Sequence, residues 1–234
     1  MKSLCTICAR GGSQGVKNKN LALLKRKPLI AHTILQAQKS TLFYVIAVST
    51  DSLKIKKTAK KFGIKEIIDR PNEMAASTSP KLPAIQHAVL EIEKRFGKFD
   101  IIVDLDATSP LRSIGDITDA FRLLVNHPEA QNLVTAYPAR RSPYFNMLEV
   151  GNDGFVQLSK RPENPVFRRQ DSPLCYDMNA SIYIWRRDAL FQNKQVITNR
   201  TMLYVMPEER SIDVDSFLDL QLVRLLAKER EDLI

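Results

Sequence analysis

The chain has 234 residues, a formal net charge of +9, 44% hydrophobic and 26% charged residues. That is the composition of a globular protein with a sizeable core, and it argues against disorder, collagen-like repeats or a disulfide scaffold. No apolar run approaches the ~18 residues that span a bilayer, and the start, Met1-Lys2-Ser3, does not read as a signal peptide, so a cytoplasmic protein without membrane contact is expected.

In chain order, residues 3–9 read as a buried strand that runs into a glycine-rich, cationic loop, Arg10-Gly11-Gly12-Ser13-Gln14-Gly15-Val16-Lys17-Asn18-Lys19-Asn20. Ile30, Thr33, Ile34 and Ala37 have helical spacing, 44–49 is a β-branched strand, Ile55, Ala59 and Phe62 mark a second helix, and 64–68 a short strand. Ile85, Ala88, Val89, Ile92 and Phe96 form a further stripe, and 101–106 a buried strand. Ser113-x-x-Asp116 reads as a helix start, with Ile117, Ala120, Phe121 and Leu124 as its apolar face. A strand follows at 132–137. The rhythm breaks over 138–179, where Pro, Arg and polar residues surround a hairpin turn at Gly151-Asn152-Asp153-Gly154. Strands resume at 181–186 and 202–206. A last helix from Ser216 is expected to bury Leu218, Leu222, Leu225 and Leu226. The alternation implies one α/β domain over 1–234, a sandwich around a mainly parallel sheet, with an arm at about 138–179.

The basic balance is read as a solvated surface with acidic substrates, because the lysines are scattered and lack aromatic interleaving; nucleic-acid binding is the rival. Cys5 and Cys8 have redox-pair spacing, but three apart on a strand they face opposite ways. Four polar clusters sit at predicted strand ends, where open α/β sheets bind ligands. The opening loop has neither Walker nor G-x-G-x-x-G spacing, yet its glycines admit a phosphate and Arg10, Lys17 and Lys19 supply charge. Asp104 and Asp106 share a strand face. Asp213 and Asp215 are two apart on an extended segment, a donor set that suits Mg²⁺, although Asp215 is also a candidate helix cap. Arg168 and Arg169, followed by Gln170, are placed to hold a carboxylate.

The ordered set Ala9-Arg10-Gly11-Gly12-Ser13 with Lys19-Asn20-Leu21, Val48-Ser49-Thr50-Asp51, Arg70-Pro71 with Glu73, Thr108-Ser109-Pro110-Leu111-Arg112, and Arg169-Gln170 with Asn179 and Ser211-Ile212-Asp213-Val214-Asp215 resembles the acylneuraminate cytidylyltransferases. The resemblance implies a three-layer α/β/α nucleotidyltransferase fold and transfer of CMP from CTP to a sugar acid. It implies that Ala9, Arg10, Gly11, Gly12, Ser13, Lys19 and Asn20 hold the triphosphate, and that Arg70 and Ser79 line the cytosine pocket. It further implies that Asp213 and Asp215 hold Mg²⁺, with Mn²⁺ as a substitute, and that Asp106, Thr108, Arg169, Gln170 and Tyr183 line the sugar site. Arg10, Lys19, Asp213 and Asp215 would carry catalysis, and the arm would pair two copies and complete the partner's site. Gln14 stands where many members have Lys, Ser77 replaces a frequent Asp, and Asp106-Ala107 replaces the usual Gln-Pro. An ionised carboxylate only accepts hydrogen bonds, so Asp106 suits a substrate with an extra N–H donor, or a second metal. Together with Pro143-Tyr144-Phe145-Asn146-Met147 and Tyr176-Asp177-Met178-Asn179-Ala180-Ser181, this leans towards the legionaminic acid branch, with N-acetylneuraminic acid the next substrate expected. The alternatives are an eight-carbon 3-deoxy-octulosonate as acceptor, or a nucleotide-binding protein without catalysis.

Overall fold

The computed structural model describes residues 1–12, 15–76, 79–161, 164 and 168–233, the side chain of Arg169 excepted. Its elements are β1 (Ser3–Cys8), β2 (Leu23–Leu24), β3 (Lys27–Pro28), α1 (Leu29–Ser40), β4 (Val45–Thr50), α2 (Leu53–Lys61), β5 (Glu66–Asp69), α3 (Lys81–Phe96), β6 (Ile101–Leu105), α4 (Ile114–Val125), β7 (Asn132–Pro138), β8 (Leu148–Val150), β9 (Val156–Leu158), β10 (Tyr176–Arg186), α5 (Arg187–Gln192), β11 (Thr201–Val205) and α6 (Phe217–Lys228).

Seven strands form one sheet in the order β11-β7-β10-β6-β1-β4-β5. All neighbours are parallel except β10, which runs antiparallel between β6 and β7. The central strands read as continuous apolar runs because helices cover both their faces. On one face Cys5 and Ile7 pack with Ile30 and Ile34 of α1, Ile55 and Ala59 of α2, and Ile117 and Leu124 of α4. On the other, Leu4 packs with Leu82, Ile85 and Val89 of α3 and with Leu190 of α5. Cys8 joins this second face, so Cys5 and Cys8 do point apart. The result is a three-layer α/β/α sandwich.

Two readings from sequence change. The arm starts where expected, and Leu148–Val150 pairs with Val156–Leu158 around the Gly151 turn. Its far limit moves, however, because β10 begins at Tyr176 and pairs with β7 before the expected boundary. On α6 the buried residues are Leu220, Val223 and Ala227, which join Leu24, Leu29 and Val214 in a third cluster; Leu226 packs at its margin. Leu218, Leu222 and Leu225 are exposed instead. A helix rich in leucine carries two apolar stripes, and spacing alone does not say which one meets the sheet.

Candidate active site

Two tight contacts fix the opening loop at the carboxyl ends of β1 and β4. The Gly11 N–H donates to Asp51 Oδ1 at 2.8 Å, and the Asn20 amide donates to the Arg10 carbonyl at 2.9 Å. Ala9 is buried and its N–H donates to the Ser49 carbonyl. A Cβ on Gly15 would lie 2.0 Å from the Asp215 carbonyl oxygen, so only glycine lets the loop pass this close to the Asp213–Asp215 segment. Among the described residues other than its chain neighbours, nothing lies within 4 Å of a Cβ placed on Gly12. Ser13, Gln14 and Ser77 lie outside the described residues.

This loop forms one wall of a cleft of about 440 Å³ whose lining includes Arg10, Gly15, Lys19, Asn20, Arg70, Ser79, Lys81, Asp106, Thr108, Asp213 and Asp215. Three of the four clusters found in the sequence therefore meet in one cavity. Arg70 is buried and held by Ser49, donating to its hydroxyl and its carbonyl. Ser79 donates to the Glu73 carbonyl, and Arg10 to the Ala76 carbonyl at 2.7 Å. Lys19 Nζ lies 2.7 Å from Asp215 Oδ1. The cap of α6 is Ser216, in a capping box with Asp219, which leaves the Asp215 carboxylate for Lys19.

The carboxylates at the end of β6 converge as expected, through a residue that the spacing of the sequence does not single out. Lys81, the first residue of α3, reaches Asp104 Oδ2 at 3.0 Å and Asp106 Oδ2 at 2.8 Å. Asp104 has no exposed surface and also accepts from Thr6. Burial opposes the Lys81 charge, but the two aspartates hold the ammonium well above the ordinary lysine range. Conversely, burial opposes the Asp106 charge, while Lys81 and the Thr108 donors hold that carboxyl well below the usual range. The only signal in the sequence was a lysine directly after Pro80, one turn into the site. The Asp106 carboxylate, expected to face a substrate N–H, already accepts from Lys81, the Thr108 N–H and the Thr108 hydroxyl. Tyr183 is buried beneath this group, with Lys81 Nζ 4.6 Å from its ring centroid.

Thr108 links the two acidic clusters. Its Oγ1 is 2.7 Å from Asp106 Oδ1 and 2.5 Å from Asp213 Oδ1, and its carbonyl accepts the Val214 N–H. A hydroxyl has one proton. It satisfies one carboxylate, and the other oxygen contact then calls for a proton or a cation on Asp213. Burial, then the charge of Asp106, push Asp213 up to about 6. Among the described residues no three His, Cys, Asp or Glu side chains form a metal cage. The pair Asp213 and Asp215 nevertheless fits Mg²⁺, which takes one or two carboxylates and completes its shell with water and phosphate oxygens. Beneath the site, fully buried Arg112 donates to Gln36, Thr33, Ser181 and the Asp106 carbonyl, and fixes the turn after β6.

The fourth cluster lies elsewhere. Arg168 pairs with Asp171 at 2.9 Å, and Gln170 lines a separate cleft at the base of the arm with Arg141 and Cys175. A second cavity, of about 720 Å³, shares Asp213 and Asp215 with the first and adds Asp177, Glu208, Glu209 and Asp219, with no cation among the described residues that line it.

A cytidylyltransferase family model matches residues 4–231. The chain belongs to the cytidylyltransferase family. This cytidylyltransferase is 48% identical to the post-translational flagellin modification protein B of Campylobacter coli, over 97% of this chain and 95% of that one. It is 46% identical to the CMP-N,N'-diacetyllegionaminic acid synthase of Campylobacter jejuni, over 95% and 94% of the two chains. An N-acylneuraminate cytidylyltransferase of Streptococcus agalactiae is 30% identical over 92% of this chain and 51% of its own length. Among solved structures, CMP:2-keto-3-deoxy-manno-octonic acid synthetase complexed with CTP aligns with a TM-score of 0.69 at 20% identity, over 98% and 100% of the two chains, a likeness of fold. The cytidylyltransferase is thus a nucleotidyltransferase on a nucleotidyltransferase fold. Among its described residues no helix is long and apolar enough to cross a membrane.

Proposed function

We propose that the enzyme transfers CMP from CTP to the anomeric hydroxyl of a nine-carbon, sialic-acid-type sugar acid, N,N'-diacetyllegionaminic acid, and releases pyrophosphate. The observation that carries this reading is the single cleft in which the cationic glycine loop faces the Asp213 and Asp215 pair. Near-full-length similarity to the Campylobacter jejuni synthase supports the choice of sugar.

In this reading Arg10, Lys19, Asn20, Ser13 and the Gly11 and Gly12 backbone bind the triphosphate, and Arg70 and Ser79 bind the base. Asp213 and Asp215 hold Mg²⁺, which, when bound, neutralises charge on the phosphate oxygens. Lys19 then exchanges Asp215 for a phosphate oxygen. The bond from the anomeric oxygen to the α-phosphorus forms as the bond to the pyrophosphate oxygen breaks, the hydroxyl proton leaves to solvent, and the chain contributes position and positive charge. Asp106, Thr108 and Tyr183 shape the acceptor side, and Arg169 and Gln170 serve the sugar from a partner's arm. Charge and exposure support this pairing. The arm exposes Arg140, Arg141, Lys160, Arg161 and Arg168, and every charged group among the described residues lining the cavity beside Asp213 is acidic. The arm also exposes Leu148, Val150, Phe155 and Val156, an apolar patch of the kind that marks a protein interface.

The test is pyrophosphate release with CTP, Mg²⁺ and a panel of N,N'-diacetyllegionaminic, N-acetylneuraminic and 3-deoxy-octulosonic acids. Release that is fastest with the first is expected. Release only with the octulosonate moves the substrate assignment, and none with any acid removes the catalytic reading.

A further inference from the structure

Lys81 has no part in the functional assignments made above, yet it stands at the head of an unbroken polar chain that ends at the cation-binding carboxylates. Its ammonium holds Asp104 and Asp106 together at 3.0 and 2.8 Å. Asp106 turns its other oxygen to Thr108, 2.9 Å from the N–H and 2.7 Å from the hydroxyl. That hydroxyl touches Asp213. Each link is short, and the group at its head is fixed from three sides: by α3, whose first residue it is, by Asp104, and by the Tyr183 ring below it.

We propose that Lys81 is a positioning residue for the transfer reaction: by clamping Asp104 to Asp106 it orients the Thr108 hydroxyl and, through it, the Asp213 carboxylate that receives the divalent cation. The inference rests on the reading of Asp213 as a cation ligand. Two carboxylates this close and this buried repel each other unless a cation lies between them. Without Lys81, Asp106 turns away from Asp104, the bonds it makes to Thr108 are lost, and Asp213 loses its lateral support. Outer partners that orient a metal-binding group in this way are worth about 10–100-fold in metal affinity or activity. The same geometry explains why a lysine, rather than an amide, faces this carboxylate: the position needs a full charge for two acceptors.

The decisive measurement is titration calorimetry of CTP into the protein without sugar, so that no turnover occurs, once with Mg²⁺ and once with EDTA. For the wild type, Mg²⁺ is expected to raise CTP affinity. In Lys81→Met that gain should fall by about tenfold or more, while affinity in EDTA stays within about twofold. Lys81→Arg, which keeps a cation, should recover much of the gain. In kinetics, Lys81→Met and Thr108→Val should be non-additive, the double variant losing no more than the worse single one, because both cut one chain. If Lys81→Met unfolds, Lys81→Met/Asp104→Asn removes the repulsion that displaces Asp106, and should regain a melting transition together with much of the Mg²⁺ gain; a folded double variant with none of that gain would overturn the proposal. A matching loss of affinity in EDTA would make Lys81 a nucleotide contact and overturn the proposal. An intact Mg²⁺ gain in Lys81→Met, additive kinetics, or a wild type with no gain at all would overturn it too. Failure of every sugar to release pyrophosphate would strike the function proposed above, and the sugar-free calorimetry would still decide the role of Lys81.

Discussion

Asp213, the proposed cation ligand, illustrates how a binding site is destabilised by the charge it needs. Its carboxyl is pushed up to about 6, first by burial and then by Asp106. A group whose folded pKa lies above its unfolded value binds more protons when folded, so its contribution to stability is lost as pH rises through 6. Asp213→Asn avoids that loss. In metal-free protein the variant should therefore be more stable than the wild type by on the order of 1–3 kcal/mol at pH 7.5, with the difference shrinking towards zero near pH 4. Pyrophosphate release should meanwhile fall sharply. Urea unfolding at the two pH values checks this, and an advantage independent of pH would count against the burial and charge argument. The meeting of Asp213 and Asp215 in the cleft is legible in the sequence, because they are two apart on an extended run. The supporting residues are not. Gly15 is needed because a carbonyl 2.0 Å from its absent Cβ belongs to Asp215, and Lys81 matters because Asp104 of β6 and Asp106 just after it both reach it. Contacts between residues distant in sequence leave no local trace in spacing or composition.

Among the elements, α6 separates what periodicity reveals from what packing decides. Its helical character and its Ser216 start were readable, since the Ser-x-x-Asp capping box is a local device. The buried face was not, because leucines occupy both stripes. Truncating the buried stripe, Leu220→Ala, should cost about 2–4 kcal/mol, whereas Leu218→Ala, on the exposed stripe, should stay within about 0.5 kcal/mol. Equal losses in denaturant melts would mean that the helix sits rotated from its position here. Strand β10 shows a second kind of limit. It reaches back into the polar segment because Met178 and Asp177 pair with β7 regardless of their composition, and a register shift between Met178 and Tyr183 accommodates Ala180 at a φ of 51°. Short α5 has too few residues to display a period at all. The buried strands, by contrast, are placed to within one or two residues in most cases, since their apolar runs follow from being covered on both faces, and the long helices are located by their apolar stripes.

At the scale of the whole molecule, the proposed site is divided between copies: the acidic cavity beside Asp213 belongs to one chain and the basic arm to another. Such a division has a direct test. Asp213→Asn disables the cation site of its own chain, and Arg169→Ala disables the arm that serves the partner. Each variant alone should show activity reduced by at least about tenfold. Mixing them at equal concentration under exchange should restore up to about a quarter of wild-type activity, because one in four sites then combines an intact pair. Sedimentation should report a dimer for both. A mixture no better than its parts would place arm and cavity in the same chain's service.

The bond between Thr108 and Asp213 also has a consequence for biosynthesis. The two residues are 105 positions apart, and Asp213 lies beyond all seven strands of the sheet. At about 5–20 residues per second, translation delivers the second carboxylate roughly 5–20 seconds after the hydroxyl that receives it. The glycine loop, the proposed base pocket around Arg70 and the whole sheet therefore emerge before Thr108 can meet Asp213. On the proposed assignments, a nascent chain passes through a stage that has the nucleotide cradle and lacks the cation site, and it can become competent only once the 213–215 segment has been made.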